Sequence, residues 1–210
     1  MAKAQNSKDY IIQECTRVMN IEGVNLTLNQ LANRLGISRG RINHYFRTKD
    51  ALFIAIAQAY EQKLITINEE FDLKHKDFSF HTLEKRYAII MDHQFDYRCA
   101  ITYIVSSGHD DPDLSKHISE TYKGNKEKLV QLLSAMVHLD MLTKDILEKD
   151  NLETFIFDFI NIFTNWVLHY NLYDRELPYE QVKAIYLKAI MEKFEVYKNK
   201  NQSQKKAKDS

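Results

Sequence analysis

An all-α fold is predicted by three features of the sequence. Glycine and proline number only 5 and 2 in 210 residues, so few positions can punctuate hairpins and long helices are favoured. Apolar residues recur at helical spacing, as in Leu28, Leu31, Ala32 and Leu35 at i, i+3, i+4 and i+7. Start and stop residues flank such stripes: Thr27, Ser38 and Thr48 precede them, and Gly23 and Gly36 follow.

Taken in order, the first helix is expected from about Ser7 to Glu22, burying Ile11, Ile12, Cys15, Val18 and Met19. Gly23, which tolerates positive φ, stops it. Thr27 and Gln30 have the T-x-x-Q spacing of a capping box at the start of the second helix. Gly36 ends that helix and Ile37 plugs the turn. Ser38 caps a short third helix from Arg39 to about Phe46, and Thr48 caps a fourth with the stripe Leu52, Phe53, Ile56, Tyr60 and Leu64. After about Phe71 the charged segment DLKHKDFSF forms a connection. Helices are then expected at about 80–95, 97–107 and 112–138, the last with Pro112 in its first turn. A short helix at about 143–149 precedes two long ones, Asn151 to about Leu172 and Pro178 to about Lys198. The pattern divides the chain into a head over residues 1–50, a connector helix over 48–70, a body over 71–198 and a polar tail over 199–210, expected to be disordered. Lys198, Lys200, Lys205, Lys206 and Lys208 give that end either a non-specific attraction to DNA or simple solubility.

Composition narrows the function. The formal net charge is zero, yet residues 1–50 carry eight basic side chains against four acidic ones. A basic head attracts phosphate, whereas the remainder, slightly acidic, does not. Hydrophobic residues make up 44% of the chain, enough for a sizeable core. No apolar run is long enough to span a membrane, and the first ten residues contain no signal-peptide core, so a cytoplasmic location is expected. Cys15 and Cys99 are too few for a disulfide framework or a four-cysteine metal site.

The segment Thr27 to Phe53 carries the functional argument. Two short helices joined by a glycine-containing turn form a helix-turn-helix, locked by Leu31, Leu35, Ile37, Ile42 and Phe46. Arg39, Arg41, Asn43, His44 and Tyr45 remain to face outward, and such donors and amphipathic rings suit phosphates and base edges. Gly40 removes a side chain near the helix start, which lets backbone approach DNA. Arg47 reads as a solvated surface charge and Phe46 as core. One short helix covers few base pairs, so two copies a helical turn of DNA apart would read a palindrome, which requires a dimer.

The residues Gly36-Ile37-Ser38-Arg39-Gly40, His44-Tyr45-Phe46 and Thr48-Lys49-Asp50-Ala51-Leu52 resemble the DNA-binding region of the TetR family over about residues 8–60. The resemblance implies a DNA-facing set of Thr27, Arg39, Asn43, His44, Tyr45 and Lys49, to which Gly40 and Arg41 are added from their position on the third helix. Asn43 stands where the family most often carries an aromatic ring on the phosphate; asparagine can instead read adenine. A weaker resemblance to TetR-type C-terminal domains runs from His81 through Tyr122, carried by Thr82-Leu83-Glu84-Lys85-Arg86-Tyr87 and Asp111-Pro112-Asp113-Leu114.

The helix LETFIFDFINIFTNWVLHY is apolar on nearly every side, so it must be buried on more than one face. The resemblance implies that the last two long helices pair with their copies as a four-helix bundle, with Phe155, Ile162, Trp166, Ile185 and Ala189 expected at the dimer interface. The middle helices are rich in rings and methionine: Tyr87, Met91, Phe95, Tyr97 and Tyr103, with His93 and Gln94 among them. Residue by residue these fit ordinary core. The resemblance implies an effector cavity, for which Tyr87, Met91, His93, Phe95, Tyr103, Phe159 and Phe163 are the candidates, and a small apolar or aromatic effector. The function so implied is a homodimeric repressor on a palindromic double-stranded DNA operator, released by a small molecule. The alternatives are a DNA-binding protein of this fold controlled by a protein partner, or a helical small-molecule binder without DNA binding. No cofactor, metal or catalytic role is expected: the histidines show no H-x-x-x-H spacing, and no G-x-S-x-G, Walker or Rossmann pattern occurs. His109, Asp110, Asp111 and His117 are the nearest approach to a metal cluster and read better as loop and cap residues. Cys99 beside Arg98 could have a lowered pKa, although a buried helical thiol is the stronger reading.

Overall fold

The computed structural model describes residues 7–70, 78–107 and 112–200. Its described helices are α1 (Lys8–Glu22), α2 (Leu28–Leu35), α3 (Arg39–Tyr45), α4 (Lys49–Glu70), α5 (Phe80–Asp96), α6 (Arg98–Ser107), α7 (Pro112–His138), α8 (Lys149–His169) and α9 (Tyr179–Glu195). The all-α expectation and its element order hold. The expected tail from residue 201, most of the charged connection, and the loop of His109, Asp110 and Asp111 lie outside the described residues, as does the side chain of His117.

Two compact units divide the chain: residues 1–70 with 89–118, and residues 71–88 with 119–210. The sequence division placed everything from residue 71 to 198 in one body. The C-terminal half of α5 and all of α6 instead group with the helix-turn-helix.

The first unit is built by local capping followed by burial. Ser7 Oγ accepts from the Tyr10 amide at 3.2 Å at the start of α1. Thr27 and Gln30 close the expected capping box: the Gln30 amide donates to Thr27 Oγ1 at 3.3 Å, and the Thr27 amide to Gln30 Oε1 at 2.8 Å. Gly36 ends α2 in the left-handed region with φ 64°, where a Cβ would be strained. Ser38 and Thr48 hydroxyls accept from the Arg41 and Ala51 amides at 3.2 and 3.1 Å. Ile11, Cys15, Met19, Leu31, Ile42, Phe46, Leu52, Phe53 and Ile56 then form a closed core that also takes in Cys99, Ala100 and Tyr103 of α6.

A side chain far away in sequence fastens α6 into this core. Asn20 of α1 accepts from the Cys99 amide at 2.9 Å and donates to the Asp96 carbonyl at 2.6 Å. Its own carbonyl accepts from Arg98 at 3.1 Å. The first amides of a helix lack intrahelical partners, and Tyr97, just before Arg98, is not a capping residue type. Asn20 supplies the cap from another helix.

The second unit centres on stacked rings. Phe155, Phe159 and Phe163 of α8 pack with Tyr87 of α5 and Phe194 of α9. Trp166, 1% exposed, lies against Tyr179 and Tyr186. The short helix expected at 143–149 is a 3-10 turn, Lys144–Leu147. The regular part of α8 ends at His169 and continues as a π-helical turn, Tyr170–Asp174. α9 stops at Glu195, short of the expected Lys198. There the backbone also bonds sideways, the Thr143 amide to the Tyr197 carbonyl at 2.8 Å and the Asn199 amide to the Met141 carbonyl at 2.9 Å, which draws the chain out of the helical path.

Candidate nucleic-acid interface

The helix-turn-helix presents its polar residues outward because its apolar ones have no alternative. Ile42 and Phe46 are fully buried, Leu35 and Ile37 half-buried against the same core. On a seven-residue helix that leaves Arg39, Gly40, Arg41 and His44 exposed, and Asn43 and Tyr45 half-buried. Ser38, Arg41, His44 and Tyr45 line an open concavity of about 380 Å³. The His44 and Tyr45 rings meet edge to face at 4.9 Å, which fixes the wall of that concavity. A Cβ on Gly40 would meet only Ser38 Oγ, at 4.0 Å; nothing inside the chain demands glycine there. Thr27 is exposed at the start of α2, its hydroxyl engaged in the capping box. Arg47 is exposed, as a surface charge should be.

Lys49 behaves differently from the arginines. Its ammonium lies 5.1 Å over the Tyr103 ring and 5.9 Å over Phe53, and burial lowers its pKa, with Asp50 opposing that shift. Tyr103 stacks face to face on Phe53, centroids 3.6 Å apart, and its hydroxyl donates to Asp50. Sequence reasoning missed Asn20, Asp50 and the bracing role of Tyr103, because each acts on a partner more than fifty residues away.

The seven expected effector-cavity residues are distributed over the two units. Tyr87, Phe159 and Phe163 pack on each other in the second unit, with centroids 5.4 to 5.5 Å apart. Met91, His93, Phe95 and Tyr103 belong to the first unit, and Tyr103 is committed to Phe53 and Asp50. The expected dimer residues divide as well. Phe155 and Trp166, at 4% and 1% exposure, are buried within the chain itself. Ile162 and Ala189 are half-buried, and Ile185 is 59% exposed. Phe157, not singled out from the sequence, is 66% exposed on α8. Cys15 and Cys99 are buried, and burial pushes each thiol up to about 12. Among the described residues no group of three or more His, Cys, Asp or Glu is placed to hold a metal, and no helix is long and apolar enough to cross a membrane.

Residues 11–56 match the family model for bacterial regulatory proteins of the tetR family. Known structures share the fold of nearly the whole chain. A TetR-family transcriptional regulator from Marinobacter aquaeolei VT8 aligns with TM-score 0.79 at 16% identity, covering 93% of this chain and 92% of that one. A transcriptional regulator from Rhodococcus sp. Rha1 aligns at 0.63 and 14%, covering 90% and 96%. The SmeT–triclosan complex aligns at 0.63 and 12%, covering 94% and 93%. Comparison with curated proteins returned no match. The matched segment coincides with the helix-turn-helix described above, in a chain whose described elements are helical. Over residues 11–56 the chain is similar to the tetR-family regulatory proteins, and it shares the fold of solved TetR-family structures.

Proposed function

We propose that the chain is a repressor that binds a palindromic operator as a homodimer and is released by a small organic effector. The observation that carries the DNA contact is the exposure of Arg39, Arg41 and His44 on one capped helix whose other face is locked into the core. Thr27, Gly40, Asn43, Tyr45 and Lys49 complete the contact surface. Arg39 and Arg41 reach base edges or phosphates, and Tyr45 and Lys49 take phosphates. The dimer face runs through Ile185 and Phe157, the large apolar side chains left uncovered on α8 and α9. The effector reading is supported by the buried polar group at His93 and by a structural neighbour solved with triclosan.

Fluorescence anisotropy on duplexes from the DNA flanking the gene tests the reading. Arg39→Ala combined with Tyr45→Ala should weaken binding by roughly thirtyfold or more, at about 1 kcal/mol or more for each of the two lost contacts. A double variant that binds as tightly as the wild type would overturn the site assignment.

A further inference from the structure

His93 of α5 is 3% exposed, and one of its two ring nitrogens has a partner. Nε2 lies 3.0 Å from the Tyr60 carbonyl oxygen. A carbonyl only accepts, so Nε2 carries the proton. That fixes the tautomer and leaves Nδ1 as a lone-pair acceptor. Nδ1 is buried and meets no donor among the described residues. The ring is flanked by Tyr60, stacked at 4.9 Å and 12°, and by Tyr97, edge-on at 4.8 Å. The Tyr60 hydroxyl is bonded to the Gln94 side chain, itself buried. Burial, more than anything else, lowers the His93 pKa; Lys63 acts in the same sense, while the Tyr60 carbonyl and Asp96 oppose it. The imidazole is therefore neutral at pH 7.

A buried acceptor without a partner destabilises a fold unless something meets it. A carboxylate group cannot, since it only accepts. A metal ion would need further ligands, and the described residues assemble none. One stacked and one edge-on ring against the imidazole favour an aromatic frame. We propose that the effector presents a neutral hydroxyl or N–H, carried on an aromatic frame, to Nδ1 of His93. This rests on the effector-released reading above and narrows it to neutral donors, excluding acids.

The test uses the full-length protein with ¹⁵N-labelled histidine. It is titrated with phenol, 2-naphthol and indole, and with their donor-free twins anisole, 2-methoxynaphthalene and N-methylindole. Each donor should bind about tenfold or more tighter than its twin, the worth of one hydrogen bond to a buried acceptor. It should also move the His93 Nδ1 resonance in the direction of hydrogen bonding. His93→Phe should erase the preference, and His93→Gln, which keeps an acceptor oxygen, should restore part of it. If His93→Phe does not fold, the wild-type donor-to-twin ratio and the Nδ1 shift decide alone. Equal binding of donors and twins, or an Nδ1 resonance that no donor moves because a resident water holds it, overturns the proposal. Donors that move Nδ1 while DNA affinity stays constant leave the site standing and defeat the effector reading instead.

Discussion

Replacing Asn20 with alanine should loosen α6 from α1 without touching any apolar contact. The side chain makes two hydrogen bonds, at 2.9 Å from the Cys99 amide and 2.6 Å to the Asp96 carbonyl. Each contributes a net of about 1 kcal/mol, so Asn20→Ala should cost about 2 kcal/mol. For a chain of this length that lowers Tm by about 4–8 °C. Asn20→Asp keeps the acceptor for the Cys99 amide but loses the donor and sets a carboxylate against the Asp96 carbonyl. It should therefore recover little or none of the loss. Asn20→Ser, shorter but able to donate and accept, should fall between alanine and wild type. Urea titration followed by far-UV circular dichroism measures the difference as a shift in midpoint at constant slope. A loss below about 0.5 kcal/mol for Asn20→Ala would mean that water replaces both contacts at no cost, and the argument for a cap supplied from another helix would fail.

Lowering the pH should destabilise the fold through His93. Its folded pKa lies below the ordinary 6.5, so below pH 6.5 the unfolded chain takes up the proton first and stability falls until the folded pKa is passed. His93→Gln should flatten that part of the curve of unfolding free energy against pH; an unchanged slope between pH 7 and 5 contradicts the buried neutral imidazole. Ile185→Glu should convert dimer to monomer in sedimentation while leaving the far-UV circular dichroism spectrum unchanged, because the side chain is exposed in the single chain. Trp166→Ala should instead cost about 3–5 kcal/mol by opening the core; a dimeric Ile185→Glu variant removes α9 from the interface. Cys15 and Cys99, pushed to about 12, should hold on the order of one thiolate in 10,000 at pH 8. An aromatic disulfide reagent should therefore label them only as fast as the protein opens, and rapid labelling of native protein would refute the burial argument.

What could be read from the sequence follows the range of the interactions. The caps at Ser7, Thr27, Ser38 and Thr48 act over three residues, and Gly36 acts on its own backbone. Those at Thr27, Ser38 and Thr48 were legible, as was Gly36, and together they fix the helix-turn-helix and so the outward set on α3. Burial on α8 was not legible. A helix apolar on every side gives no phase, so periodicity cannot tell Phe155 and Trp166, which face inward, from Phe157, which does not. Tyr87 and Met91 sit one turn apart on α5 yet belong to different compact units. Sequence spacing put them on one face and could not show that their neighbours differ. The cap on α6 spans 79 residues between Asn20 and Cys99, and nothing near residue 98 announces it.

The same distinction separates the cations of the proposed DNA surface. Arg39 and Arg41 are exposed on α3. Lys49 is seated over two rings, one of which, Tyr103, comes from α6 and holds Asp50 as well. An ammonium already partly stripped of water and limited in its rotamers gives up less hydration and less side-chain entropy on meeting a phosphate than an exposed one does. Its position is also set by α6, not by α3 alone. Tyr103→Leu should therefore remove the seat and the Asp50 contact together. It should lower operator affinity through Lys49 while leaving the contribution of Arg39 unchanged in a double-mutant cycle. Coupling between Tyr103 and Lys49 with none between Tyr103 and Arg39 is the expected result, and equal coupling to both would mean that Tyr103 acts only by holding the whole head together.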